Sequence, residues 1–319
     1  MKKIIRSIYK WLTVTFPRSE VLIRRIYWNN YSLLKKYSPH GSTPDSEIPS
    51  TKVDFEKVIN KLKEAGIGKG SLVLMHSSYS GLACTGLSED EVIDKLLELI
   101  GPNGTLAMPV IRKFKGEPKD EVYLSTNTDD IVCTYDVKKT RVTSGLLPYS
   151  LMRRNDAVIS HCPLNPICAV GPLAKKMMAR EMEEEKLTPH GKNSAWKFCY
   201  DNNAFYISIG TNLDRHCTMV HAAEEAFGDW KWNEQEWFRE RKFDIIDENG
   251  NKERRIVLER RPEWGMIYFA EMKMANDLLK DKIIEKTFID DTIEVCISRA
   301  ASVVDYMRSK NKDGYPYYR

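Results

Sequence analysis

Three observations on this 319-residue chain predict an α/β layered fold, with a central mixed β-sheet flanked by helices. Helical and extended patterns alternate from about residue 54 onward, the order expected of helices layered on a sheet. Short apolar runs such as L-V-L-M and L-A-M-P are bounded by Gly, Ser or Pro, as buried strands are. Two alternating runs around Asn249-Gly250 then predict a β-hairpin appended to that core.

Residues 1–38 interleave aromatic and aliphatic side chains with Lys and Arg, predicting one or two amphipathic helices broken at Pro17. Residues 39–52 are rich in Pro, Ser and Gly and read as a linker, so a leader and linker over 1–52 are expected to precede one domain over 53–319. In D-F-E-K-V-I-N-K-L-K-E-A-G, Asp54 is the expected N-cap and Gly66 the stop. S-L-V-L-M-H follows as a buried strand. The next helix opens on a Ser88/Glu91 capping box and closes at Gly101, before the strand G-T-L-A-M-P-V. A-V-I-S and A-F-Y-I-S-I-G are further strands, and helical patterns near 266–283 and 295–309 predict C-terminal helices.

The formal charge of +4 conceals an asymmetry, because residues 1–40 hold nine Lys/Arg against the single acid Glu20 and the body is left net acidic. Arg6 and Lys10 interrupt the first apolar stretch and no cleavage site follows, which argues against a signal peptide. No apolar run reaches the length of a membrane span. Seven cysteines without a secretory signal suggest reduced thiols and a cytoplasmic protein. A basic surplus confined to the leader does not predict nucleic-acid binding. Tyr9, Trp11 and Phe16 there fit a helix that contacts a membrane surface or another subunit, and a homo-oligomer is expected.

The stretch T-M-V-H-A-A-E-E places His221 and Glu224 three residues apart, on one face if the segment is helical. A carboxylate on one ring nitrogen fixes the tautomer and leaves the other nitrogen as a base near neutral pH. A solvated surface pair is the alternative. The loop H-S-S-Y-S-G-L-A-C-T-G-L-S leaves a strand and enters a helix, where α/β sheets bind ligands. Glu89, Asp90 and Glu91 crowd that helix start and disfavour a phosphate there, so a neutral amide or thioester, or a plain connection, remains. The pairs His161-Cys162 and His216-Cys217 match no usual zinc spacing; no metal is expected, and a zinc-dependent amidohydrolase is the rival of another class. No G-x-S-x-G elbow surrounds any serine.

Four blocks in order resemble one family. L-V-L-M-H-S-S-Y-S-G-L is similar to V-x-x-H-x-S-L-x-x-x-G, and I-G-P-N-G-T-L-A-M-P to G-x-x-G-T-L-x-M-P. G-K-N-S-A-W-K-F is similar to G-x-x-S-P-L-x-x-L, and I-S-I-G-T-N-L-D-R-H-C-T-M-V-H-A-A-E to L-L-G followed by T-x-x-H-x-x-E. These are the patterns of the aminoglycoside 3-N-acetyltransferase family. The resemblance implies acyl-CoA as co-substrate, His221 as the catalytic base and Glu224 as its partner, with His76, Ser77, Ser78 and Ser194 along the pantetheine arm. It further implies direct transfer, with backbone N–H groups of residues 76–81 and the Ser77 or Ser78 hydroxyl steadying the oxyanion.

One block departs from the family. I-S-H-C-P-L-N-P-I-C-A-V-G stands where the pattern reads R-S-x-H-P-x-x-S and then an apolar run to glycine, so Ile159, Cys162 and Pro166 replace Arg, His and Ser. With the basic leader and the Trp-rich G-D-W-K-W-N-E-Q-E-W-F, the chain looks more like the relatives that acylate amino sugars in surface polysaccharide synthesis, and that resemblance implies a nucleotide-linked amino-sugar acceptor. Trp230, Trp232 and Asp214 are its expected contacts, and Arg239 and Arg241 are available to a diphosphate. An aminoglycoside acceptor is the alternative.

Overall fold

The computed structural model describes residues 2–35, 52–118, 123–124, 126–232, 234–312 and 315–318; all of the expected linker except Lys52 lies outside them. In chain order the strands are β1 (Leu72–Ser77), β2 (Thr105–Pro109), β3 (Arg112–Lys113), β4 (Val132–Asp136), β5 (Arg141–Val142), β6 (Val158–Ile159) and β7 (Ile167–Val170). They continue with β8 (Lys186–Leu187), β9 (Phe205–Ile209), β10 (Phe238–Ile246), β11 (Lys252–Arg260), β12 (Glu285–Ile289) and β13 (Ile293–Arg299). A seven-stranded mixed sheet runs in the order β12-β13-β9-β1-β2-β7-β6. Its centre is parallel, with Val73 opposite both Leu106 and Phe205, and its margins are antiparallel.

Side chains alternate across this sheet and build two cores. Val73, Met75, Leu106, Met108, Ile207 and Ile209 face the helices Glu56–Glu64 and Glu89–Ile100. Leu72, Leu74, Ala107 and Tyr206 face the opposite way, against the helices Ala195–Asp201, Val220–Glu225 and Ala300–Lys312. Burial on both faces explains why the central strands read as continuous apolar runs. Their carboxyl ends converge where the first β–α loop and the segment after β9 meet. There an added Cβ on Gly81 would lie 2.2 Å from the Gly210 carbonyl oxygen, so the two backbones can approach only because both are glycine.

Of the two expected caps Ser88 holds its helix start, whereas the helix Glu56–Glu64 has Phe55, not Asp54, at its N-cap and no side-chain cap bond there. Asp54 Oδ1 accepts the Glu56 N–H at 2.9 Å, and the Ser88/Glu91 box closes in both directions. The predicted hairpin is present: β10 and β11 pair from Phe238↔Arg260 to Ile246↔Lys252 and sit between β4 and β8 in a second sheet. The C-terminal helical patterns need correction. The helices are Glu271–Lys280 and Ala300–Lys312, whereas residues 295–299 belong to β13. Ile293, Val295 and Ile297 alternate with Glu294, Cys296 and Ser298, a strand period, and Asp290 and Asp291 hold φ of 48° and 54° in the tight turn from β12. The leader forms helices Lys2–Thr15, Pro17–Asn29 and Tyr31–Leu34, with the break at Pro17 as expected.

Candidate active site

His221 lies on the short helix Val220–Glu225, which follows β9 and packs its Val220, Ala222 and Ala223 into the second core. Its Nδ1 is 2.7 Å from Glu224 Oε2, and the carboxylate is buried, so the surface-pair alternative is set aside. Glu224 Oε1 accepts hydrogen bonds from the Tyr315 and Tyr318 hydroxyls at 3.1 and 3.0 Å. Arg260, the last residue of β11, places Nη1 3.1 Å from His221 Nδ1 and 2.8 Å from the Tyr318 hydroxyl. Nδ1 can serve only one of these neighbours. The charged carboxylate takes its proton, and Nε2 is left for chemistry.

Electrostatics favour a neutral ring. Burial, and then Arg260, lower the His221 pKa from its ordinary 6.5 against the pull of Glu224. Burial alone would raise the Glu224 carboxyl, but His221, Arg260 and the Tyr318 hydroxyl outweigh it and hold the group ionised, below the usual carboxylate range. A neutral imidazole backed by a fixed anion is the arrangement of a general base.

A second pair adjoins the first. His190 Nδ1 lies 3.2 Å from Glu225 Oε2, its backbone N–H donates to the same oxygen, and its ring centroid is 5.1 Å from that of His221. Its Nε2 is buried with no hydrogen-bond partner. His190 escaped the sequence reading, although it directly precedes Gly191 of the third block. Arg260, Tyr315 and Tyr318 escaped too, having no spacing relation to His221.

The pair stands between two cavities. One, of about 240 Å³, has His221, His190, Glu117, Glu225, Glu259 and Arg260 in its lining. The other, of about 420 Å³, is bordered by Glu224, Glu225, Gly191 and Trp230. A larger cavity of about 750 Å³ along the hairpin is lined by neither histidine, so size does not mark the chemistry.

The expected coenzyme residues lie at the carboxyl end of β1 and at a helix start. His76 points to the second core, with Nε2 3.0 Å from the Tyr206 hydroxyl; burial, and then His216, lower its pKa to about 3. Its ring reaches His221 through successive ring contacts with Trp196 and His190. Ser77 Oγ is buried without a partner, a donor that a bound amide or thioester could use. Ser78 Oγ pairs with Ser80 Oγ at 2.9 Å. Ser194 caps the helix Ala195–Asp201, accepting from Lys197 N and donating to Gly191 O. The Ser78 and Gly81 N–H groups are engaged by Ile209 O and Ser78 O, so the expected donors to an oxyanion narrow to the rest of the loop and the serine hydroxyls.

The expected acceptor residues divide. Trp230 and Trp232 border the larger of the two cavities beside the pair, yet both rings also pack with Trp237 against Tyr315 and Tyr318, the tyrosines that hold Glu224. Asp214 borders neither cavity; Lys286 Nζ sits 2.6 Å from it and 3.0 Å from Glu294. Glu259 pairs with both Arg239 and Arg241, at 2.5 and 3.0 Å; Arg241 is fully buried, and Arg239, whose Nη2 has no hydrogen-bond partner among the described residues, lines the cavity of about 750 Å³ and neither of the two beside the pair. The histidine-cysteine pairs are not brought together: His161 Nε2 meets Glu248, Cys162 and Cys217 are buried, and the group within metal-ligating reach among the described residues, Asp214, Glu294 and Cys296, includes neither pair. From the departing block, Pro163, Leu164 and Asn165 form part of the wall facing His221.

The family model for aminoglycoside 3-N-acetyltransferases matches residues 74–310, well over half of the chain. The chain belongs to that family. Among curated proteins, aminoglycoside N(3)-acetyltransferase IX of Micromonospora chalcea is 24% identical over 178 residues, covering 54% of this chain and 62% of that relative, less than two thirds of its length. Among solved structures, AAC-IIIb in binary complex with CoASH superposes with a TM-score of 0.65 at 17% identity, covering 83% of this chain and 98% of that one. Aminoglycoside acetyltransferase AAC(3)-Xa gives 0.63 at 21% identity, covering 81% and 92%, and AAC-VIa bound to sisomicin gives 0.64 at 16%, covering 83% and 100%. At these identities the structural likenesses establish the shared fold.

Proposed function

We propose that this protein is an acyl-CoA-dependent N-acyltransferase whose acceptor is the amine of a polycationic amino sugar of the aminoglycoside type. The observation that carries this is the buried His221–Glu224 pair, 2.7 Å apart, opening on a cavity bordered by the carboxylates Glu117, Glu225 and Glu259. Glu259 is already held by Arg239 and Arg241, so Glu117 and Glu225 are the carboxylates this lining offers to ammonium groups. The cations beside the pair are already engaged: Arg260 by Tyr318, Arg112 by the Thr140 and Val137 carbonyls, and Lys192 by Glu184. A diphosphate therefore finds no unengaged cation among the described residues bordering these two cavities, and the nucleotide-linked acceptor loses its support.

His221 Nε2 takes a proton from the acceptor's ammonium and so frees the amine lone pair to attack the thioester carbonyl; the C–S bond then breaks, a proton passes to the sulfur, and the coenzyme leaves as the thiol. Glu224 offsets the charge that then develops on the ring, and its own charge is steadied by Tyr315 and Tyr318. Bound acyl-CoA would supply an acyl group activated as a thioester. The unpartnered Ser77 hydroxyl and the loop after β1 are suited to its polar arm and to the developing oxyanion. Leu164 and Asn165, in the block that departs from the family pattern, face the acceptor side and would tune which amine is taken.

The test is free-thiol release from acetyl-CoA with aminoglycosides and amino-sugar nucleotides offered separately. Release with aminoglycosides supports the reading. Release confined to nucleotide sugars would overturn the choice of acceptor, and silence with acetyl and longer acyl-CoAs alike would overturn the activity.

A further inference from the structure

The leader turns its apolar side away from the protein. On the first helix Ile4, Ile5, Ile8 and Trp11 fall within one arc and are 64, 60, 58 and 61% exposed, while Thr13 on the opposite side is buried. The second helix repeats this with Leu22 and Ile26 at 58 and 51%, and Phe16 at the junction is 55% exposed. A helix belonging to a soluble core buries that stripe, and a contiguous exposed apolar surface of this kind marks an interaction site.

The leader is nevertheless held firmly, by polar contacts. Buried Glu20 accepts the Met272 N–H at 2.9 Å and pairs with Arg24 at 3.0 Å; Arg24 also reaches Glu271 at 2.6 Å and the Gly265 carbonyl at 3.2 Å. The outward arc is thus the result of a specific docking on the helix Glu271–Lys280. Its charge is one-sided. Lys10, Arg18 and Arg25 are exposed, and Glu20, the one acid among the nine Lys/Arg of residues 1–40, is buried.

We propose that this face docks on an anionic phospholipid surface. The bilayer boundary accepts the isoleucines and leucines while its phosphates meet Arg18 and Arg25 beside Leu22 and Ile26, Lys10 on the far side of the first helix adds to the positive field, and Trp11 suits the headgroup level. A second copy of the chain fits worse, because pairing two such faces juxtaposes cations with no exposed acid to answer them. No helix is long and apolar enough to cross a membrane, so the leader would lie on the surface. The inference stands apart from the proposed activity.

The experiment is sedimentation of the full chain with vesicles of phosphatidylcholine alone and with about a third phosphatidylglycerol, at about 0.1 M and about 0.5 M salt. Binding to the anionic vesicles that weakens at high salt is expected. The double variant Ile8→Asp with Trp11→Asp should lose about tenfold or more in partitioning with unchanged melting and unchanged thiol release in solution. The triple variant Lys10→Glu, Arg18→Glu and Arg25→Glu should lose the preference for anionic vesicles. No binding, or equal binding to neutral vesicles, would overturn the proposal. So would a lipid-free dimer that the apolar double variant converts to monomer, which would make a second copy the occupant.

Discussion

Glu224 and Glu225 are neighbours in sequence, each is paired with a histidine, and the two histidine rings touch, yet the two carboxylates are held differently. Glu224 is gripped by two tyrosine hydroxyls with Arg260 nearby, so its charge is fixed before any chemistry begins. Glu225 instead holds both the ring and the backbone N–H of His190, as a brace on the turn before Gly191. The difference teaches that two like His–carboxylate contacts can be supported differently, and the proposed base is the one whose carboxylate is braced by hydroxyls.

Substitutions can break this comparison. His221→Ala should lower kcat about 10³-fold while acyl-CoA affinity, read by calorimetry, stays within about twofold, because the ring is assigned to proton transfer. Glu224→Gln should cost about 10²-fold, since the amide cannot balance a charged ring. Arg260→Met removes a positive charge that lowers the His221 pKa, so the acid limb of kcat/KM against pH should move upward. Glu225→Gln should be the mildest, less than about tenfold in kcat, with its main effect on melting temperature. Equal losses in Glu224→Gln and Glu225→Gln would erase the distinction.

Much of this organisation was legible from residue patterns. The central strands announce themselves as apolar runs, the capping box marks the helix at Ser88, and Asn249-Gly250 marks the hairpin. The period-2 alternation at Ile293, Val295 and Ile297 was present too, but it runs into the helix Ala300–Lys312 and was absorbed into that helical pattern. In the site, His221 and Glu224 were legible because one turn of helix joins them. Arg260, Tyr315 and Tyr318 were not, because β11 and the chain end reach the pair only through tertiary packing. The tryptophans showed the same limit: their aromatic density was plain, whereas their packing against those tyrosines is visible only in three dimensions.

The pH dependence of kcat/KM, compared between the wild type and His221→Ala, tests the central claim most directly. A base must be neutral to act and is lost as pH falls through its pKa, and the buried His221 is held below its ordinary 6.5. The wild type should therefore show an acid limb centred below 6.5, and the residual activity of His221→Ala should lack it. A limb centred above 6.5, or the same limb surviving in the variant, would assign the proton to another group.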